Sequence, residues 1–224
     1  DPLTCQVFEI RESAAEAGYD GSWFSAVAGA FHGDVQKTSD DESRIKGFFA
    51  DANIHNPEDT LGGISLLAGA SYLNNVADTD TLQDEVNKIT DYVGGVALYL
   101  VAEYNNLSFG AEYITALDDL RAGEMGYAID RNGDAQETKP AAWNFELAYR
   151  PMDPLQLTVK YEGTGDMFGL FPEKQYGLCV SYDLFEFTTL SAEYLHGEYD
   201  DNQNSDGKVE DSRDVVTVQL AVEF

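Results

Sequence analysis

Eight charged side chains define the chemistry this chain can offer: Asp51, Glu103, Glu112, Glu146, Arg150, Lys160, Glu162 and Glu193. Each falls at a polar position in a segment whose alternate residues are apolar. Six of them are carboxylates, and carboxylates facing a wide aqueous passage favour cations. Lys160 stands beside Glu162, with Arg150 across from it on the neighbouring segment, so these groups also suit an internal salt-bridge ladder that fills a narrow barrel. Neither arrangement is catalytic. A Gly-rich phosphate loop, a Gly-x-Ser-x-Gly elbow and a His-Glu-x-x-His helix are all missing from the sequence. His32, His55 and His196 fall on different elements and form no ligand spacing with Cys5 or Cys179, so no metal, cofactor or enzymatic activity is expected. Two cysteines are too few for a disulfide framework and read as free thiols.

Charges with this parity require β-strands to hold them. Trp143, Phe145, Leu147 and Tyr149 alternate with Asn144, Glu146, Ala148 and Arg150. Leu155, Leu157, Val159 and Tyr161 alternate with Gln156, Thr158, Lys160 and Glu162, and Tyr176, Leu178, Val180 and Tyr182 with Gly177, Cys179 and Ser181. A period of two gives each strand one apolar and one polar face. Aromatic residues bracket the apolar faces, as they do on lipid-facing strands at the two membrane interfaces. The closing stretch Val216-Thr217-Val218-Gln219-Leu220-Ala221-Val222-Glu223-Phe224 has the same pattern and suits a last strand that closes a membrane barrel. The pattern predicts strands near 5–19, 22–33, 44–55, 61–74, 91–104, 107–117, 141–150, 155–163, 174–183, 188–197 and 214–224. The first half is less regular: Phe49, Leu67 and Leu73 point to the polar side.

The connections alternate between short and long. Asp20-Gly21, Asn105-Asn106 and Met152-Asp153-Pro154 are turn formers, whereas 34–43, 75–90, 118–140, 164–173 and 198–213 are long and mostly acidic. Short turns on one side and long loops on the other mark an antiparallel up-and-down outer-membrane barrel, with the short turns periplasmic. Eleven strands is an odd count, while bacterial single-chain barrels have even counts; the chain is therefore expected to be the C-terminal part of one larger barrel domain, with strands preceding Asp1.

Composition agrees. Among 224 residues, 41 are acidic and 13 basic, for a formal charge of −28. That balance disfavours nucleic acid, which needs Lys and Arg, and concentrates cations. An aromatic content of 12% excludes a disordered acidic tail. No run approaches the roughly 18 apolar residues of a membrane helix, and a mean hydropathy of −0.32 is compatible with alternating strands. Asp130-Arg131-Asn132-Gly133-Asp134 and Asp206-Gly207 partly match calcium loops but lack the full ligand spacing.

Several segments together resemble the LbtU family of siderophore porins. They are Asp1-Pro2-Leu3-Thr4 followed by Ile10-Arg11-Glu12, Phe31-His32-Gly33-Asp34-Val35, Tyr92-Val93-Gly94-Gly95, Glu112 to Asp119, Lys139-Pro140-Ala141-Ala142-Trp143-Asn144 and the closing Val216–Phe224. The chain departs from the family at Cys5-Gln6-Val7-Phe8, where the pattern is Leu-Glu-x-Gly. The resemblance implies a Gram-negative outer-membrane β-barrel associated with ferric-siderophore uptake, a family whose members continue upstream of the segment that opens this chain. An acidic mouth suits cationic solutes and suits an anionic ferric siderophore poorly. Three readings follow: a passive or semi-selective porin in contact with outer-membrane lipid, passing small solutes; a scaffolding barrel that clamps a protein partner; and a soluble acidic secreted β-protein. Extraction behaviour separates the last from the first two.

Overall fold

The computed structural model describes residues 2–38, 45–57, 60–130, 132–199 and 212–222. Eleven strands form one antiparallel sheet in sequence order: β1 (Ala14–Asp20), β2 (Phe24–Phe31), β3 (Gly47–His55), β4 (Ile64–Leu73), β5 (Gly95–Tyr104), β6 (Leu107–Ala116), β7 (Ala141–Met152), β8 (Leu155–Gly165), β9 (Lys174–Phe185), β10 (Thr188–Glu198) and β11 (Ser212–Val222). Among the described residues each strand pairs only with its sequence neighbours, which leaves β1 and β11 at the two edges of the sheet. The expected strand count and order are present. The closing Glu223-Phe224 lies outside the described residues, as does most of the acidic connection after β10.

Register carries the apolar alternation unbroken from strand to strand. Leu98 pairs with Tyr113, Tyr113 with Trp143, Phe145 with Tyr161, Val159 with Leu178, Val180 with Ala192 and Ala192 with Val218. These side chains form one face, the outer face. A one-residue slip in any pairing would send an apolar set to the wrong side, so the alternation fixes the parity of the register. The outer face is open: Leu157 is 38% exposed, Val159 49% and Leu178 51%. Apolar residues thus stand on the uncovered side of the sheet.

The opening segment departs from the sequence expectation. Residues 5–19 do not form one strand. Leu3–Phe8 is a short helix, α1, and β1 begins only at Ala14. Glu9, Arg11, Glu12 and Glu16 interrupt the apolar alternation in this segment. Leu3 and Val7, four apart, share one helix face and are both buried. Six residues are too short to be helical alone. The helix stands because it packs on the inner face of β6–β8.

The long connections, mostly acidic in sequence, build the main apolar core. The β4–β5 connection forms a single 3-10 turn at Val76–Asp78 and a short helix, α2 (Asp80–Gln83). Val76, Ala77, Leu82 and Ile89 from this connection pack with Leu120, Met125 and Tyr127 from the β6–β7 connection and Met167 from the β8–β9 connection. Val7 of α1 joins them, resting near Ala116 and Ala142 of the inner face. Glu124 knits two connections together: its carboxylate accepts from Thr90 N at 2.8 Å and Arg121 N at 2.9 Å, and its carbonyl accepts from Asn87 N at 2.8 Å. At 6% exposure that carboxylate would be costly without these donors. The core therefore fills the long-connection end of the sheet on its inner side.

Candidate functional site: the inner face

The inner face carries the residues opposite the apolar set, and all eight charges singled out from the sequence lie on strands there. Register places them at different heights. Lys160 is opposite Glu146 on one side and Gly177 on the other, while Glu162 faces Asn144 and Gln175. Glu112 faces Tyr99 and Asn144, Asp51 faces Ser71, and Glu193 faces Cys179 and Thr217. Glu103 lies between Ser65 and Ser108, towards the short turns.

Three of these groups meet. Lys160 Nζ stands 3.0 Å from Glu162 Oε1 and 3.2 Å from Glu193 Oε1. Glu193 is on β10, two strands from Lys160, a gap of roughly 10 Å at normal strand spacing. The lysine crosses it by lying over Gly177 of β9. A Cβ added at Gly177 would meet Lys160 Cε at 2.7 Å and would also collide with its Cγ. A glycine inside a strand often marks such a close approach. Glu162 is 0% exposed and fully engaged. Besides Lys160 it accepts from Gln175 Nε2 at 2.6 Å and from the Leu3 backbone N at 2.8 Å. The buried carboxylate is thus both the partner of Lys160 and the anchor of α1.

Arg150 does not join this network. It donates to Gln156 Oε1 at 3.1 Å, beyond the register shift that follows Tyr149. Of the salt-bridge ladder offered for Lys160, Glu162 and Arg150, the Lys160–Glu162 contact is present, and the further contact runs from β8 to Glu193 on β10 instead of to Arg150.

A second cluster surrounds Asp51. Ser71 Oγ donates to its Oδ2 at 2.6 Å, and the Tyr99 hydroxyl sits 2.8 Å from Oδ2 and 3.0 Å from Oδ1. Tyr99 reaches from β5 over Gly69 of β4 to β3, the same device as Lys160 over Gly177. Asp51 and Glu112 border one cavity of about 300 Å³ between the inner wall and the segment after α1. Asp51, Glu103, Glu112 and Glu146 have no base within ion-pair distance among the described residues. Tyr99, Ser71, Gln175 and Leu3 were not singled out from sequence. The two in-strand glycines were the only local signal that could have found the long reaches.

The histidines are engaged locally. His55 contacts Gly21 O at 2.9 Å and Asn53 Oδ1 at 3.1 Å, and His196 contacts Asp214 Oδ1 at 2.8 Å. Asp130 Oδ1 accepts the backbone N–H groups of Asn132 and Asp134, at 2.9 and 3.0 Å, which closes the turn. Those donors hold its carboxyl below the usual carboxylate range. The other calcium-like stretch, Asp206-Gly207, lies outside the described residues. Cys5 and Cys179 are both free.

No family model and no curated protein matches the chain. Solved structures do match. A porin refined at 1.8 Å resolution aligns over 93% of this chain and 60% of its own, with 17% identity and a TM-score of 0.55. The outer membrane channel DcaP of Acinetobacter baumannii aligns over 94% of this chain and 61% of its own, with 14% identity and a TM-score of 0.54. The NanC porin aligns over 95% and 93%, with 10% identity and a TM-score of 0.46. The chain therefore has the fold of an outer-membrane porin wall and spans about 60% of the length of the first two.

Proposed function

We propose that this chain supplies eleven strands of an outer-membrane porin, part of a larger barrel, whose lumen is lined by Asp51, Glu103, Glu112, Glu146, Arg150, Lys160, Glu162 and Glu193. The observation that carries the reading is the inversion of the sheet. Apolar Leu157, Val159 and Leu178 are uncovered, while Glu162 on the opposite face is buried. In water such an uncovered apolar face drives association; in a bilayer it is the lipid-facing belt of a β-barrel. The sheet's two edges at β1 and β11, its odd strand count and its 60–61% coverage of two porin chains support a larger closed wall.

Unpaired carboxylates on the inner face favour passive, cation-preferring uptake of small solutes. The segments that resemble LbtU siderophore porins make a ferric chelate a candidate cargo, and the acidic lining selects a cationic or neutral chelate over an anionic one. A second reading has a specific observation behind it. The Lys160–Glu162–Glu193 network and the apolar core at the long-connection end are what a filled barrel clamping a protein partner would carry.

Reversal potential and conductance of the full-length, detergent-extracted protein in a planar bilayer under a KCl gradient decide between them. Steady cation-selective steps are expected. Anion selectivity overturns the charge argument, and silence from well-folded protein turns the assignment to the clamping barrel.

A further inference from the structure

We infer that the cavity bordered by Asp51 and Glu112 is a binding site for a small organic cation, an ammonium carried on a compact apolar body. The inference rests on the porin reading only in placing the site on a solute's path. The cavity holds about 300 Å³, at the lower end of the roughly 300–1,000 Å³ typical of ligand pockets. Its walls are mostly apolar: Phe8 ends α1 and Ile10 follows it, and Phe49 and Ile114 come from the inner sheet. Asp51 and Glu112 provide the charge, and neither has a base beside it among the described residues.

The chemistry narrows the occupant. Two carboxylates without counter-ions exclude an anion. A hard divalent ion needs six or more oxygen ligands. Here Asp51 already accepts two hydroxyls, and the remaining walls are aromatic and aliphatic. An organic ammonium fits both parts. Its charge meets the carboxylates, its body lies on Ile10 and Ile114, and the rings of Phe8 and Phe49 attract a cation through their faces. Asp51 is held ready by Ser71 and Tyr99, so binding need not first order it.

The test is titration calorimetry on the full-length protein in detergent, with phenethylammonium against 3-phenylpropionate, an anion of similar shape. Saturable binding of the ammonium and none of the carboxylate is expected. Glu112→Gln should weaken it by roughly tenfold or more, the scale of losing a charged partner, and Phe49→Leu should weaken it further. Equal binding of the two probes, or unchanged affinity in Glu112→Gln, overturns the site. Asp51→Asn also removes a hydrogen-bonded structural group, so Glu112→Gln is the deciding variant should Asp51→Asn fail to fold. Cation-selective conductance without phenethylammonium binding removes the site and leaves the porin reading standing. Binding without conductance does the reverse.

Discussion

At the scale of single residues, two glycines decide what the charges can do. Lys160 joins Glu193 only because Gly177 presents no Cβ between them. Gly177→Ala should push the lysine off β9 and cost on the order of 1–3 kcal/mol, as overpacking does. Its signature is loss of the Lys160–Glu193 coupling in a double-mutant cycle; full coupling in the alanine variant would refute the crossing. The outer face gives a sharper contrast. Leu157→Arg or Val159→Arg should cost about 2–4 kcal/mol at mid-bilayer depth, measured by denaturant unfolding in lipid vesicles. The same change at Thr158, on the inner face, should be far milder. Equal costs on both faces would refute the assignment of lipid and lumen. The charges were legible in the sequence; their partners were not, because a lysine two strands from a glutamate meets it only after β8, β9 and β10 have aligned.

At the scale of elements, α1 depends on one buried carboxylate. Glu162 accepts the Leu3 backbone N–H, and Glu162→Gln weakens both that bond and the tie to Lys160. A loss of roughly 1–3 kcal/mol is expected, together with faster proteolysis within residues 3–8 while the strands stay protected. Uniform destabilisation of the sheet with α1 still protected would refute the anchor. The β4–β5 connection carries a pH dependence. Burial pushes the Asp78 carboxyl above the usual carboxylate range, against the opposing hydrogen bonds from Val35 N and the Asn75 side chain. A raised value means the folded state holds the proton more tightly than the unfolded state. Its stabilisation is complete below the unfolded value and is lost as pH rises through the folded one. The protection factor of the Val76 amide, which donates to Val93 O at 2.8 Å in the same connection, should therefore fall with rising pH, and Asp78→Asn should flatten the profile. A protection factor that climbs with pH contradicts this.

At the scale of the whole molecule, the uncovered apolar face predicts that the protein stays with membranes through salt washes and leaves them only in detergent. Release into plain buffer would return the soluble acidic β-protein to first place. The sequence by itself determined the strands from β2 onward, their order and which face is apolar. Those features follow from a period of two, which is local and repeats along each strand, and from turn formers such as Asn105-Asn106, where Asn105 adopts the positive φ that asparagine tolerates. Only the tertiary structure decided the rest. Leu3–Phe8 is helical because the inner wall of β6–β8 covers Leu3 and Val7, and no pattern within six residues could require that. The long connections are acidic on average, yet they bury Leu82, Ile89, Leu120 and Met125 against one another, because each supplies a few apolar side chains that become a core only when these separate segments meet. Asp51 and Glu112, 61 positions apart in the chain, share a cavity for the same reason.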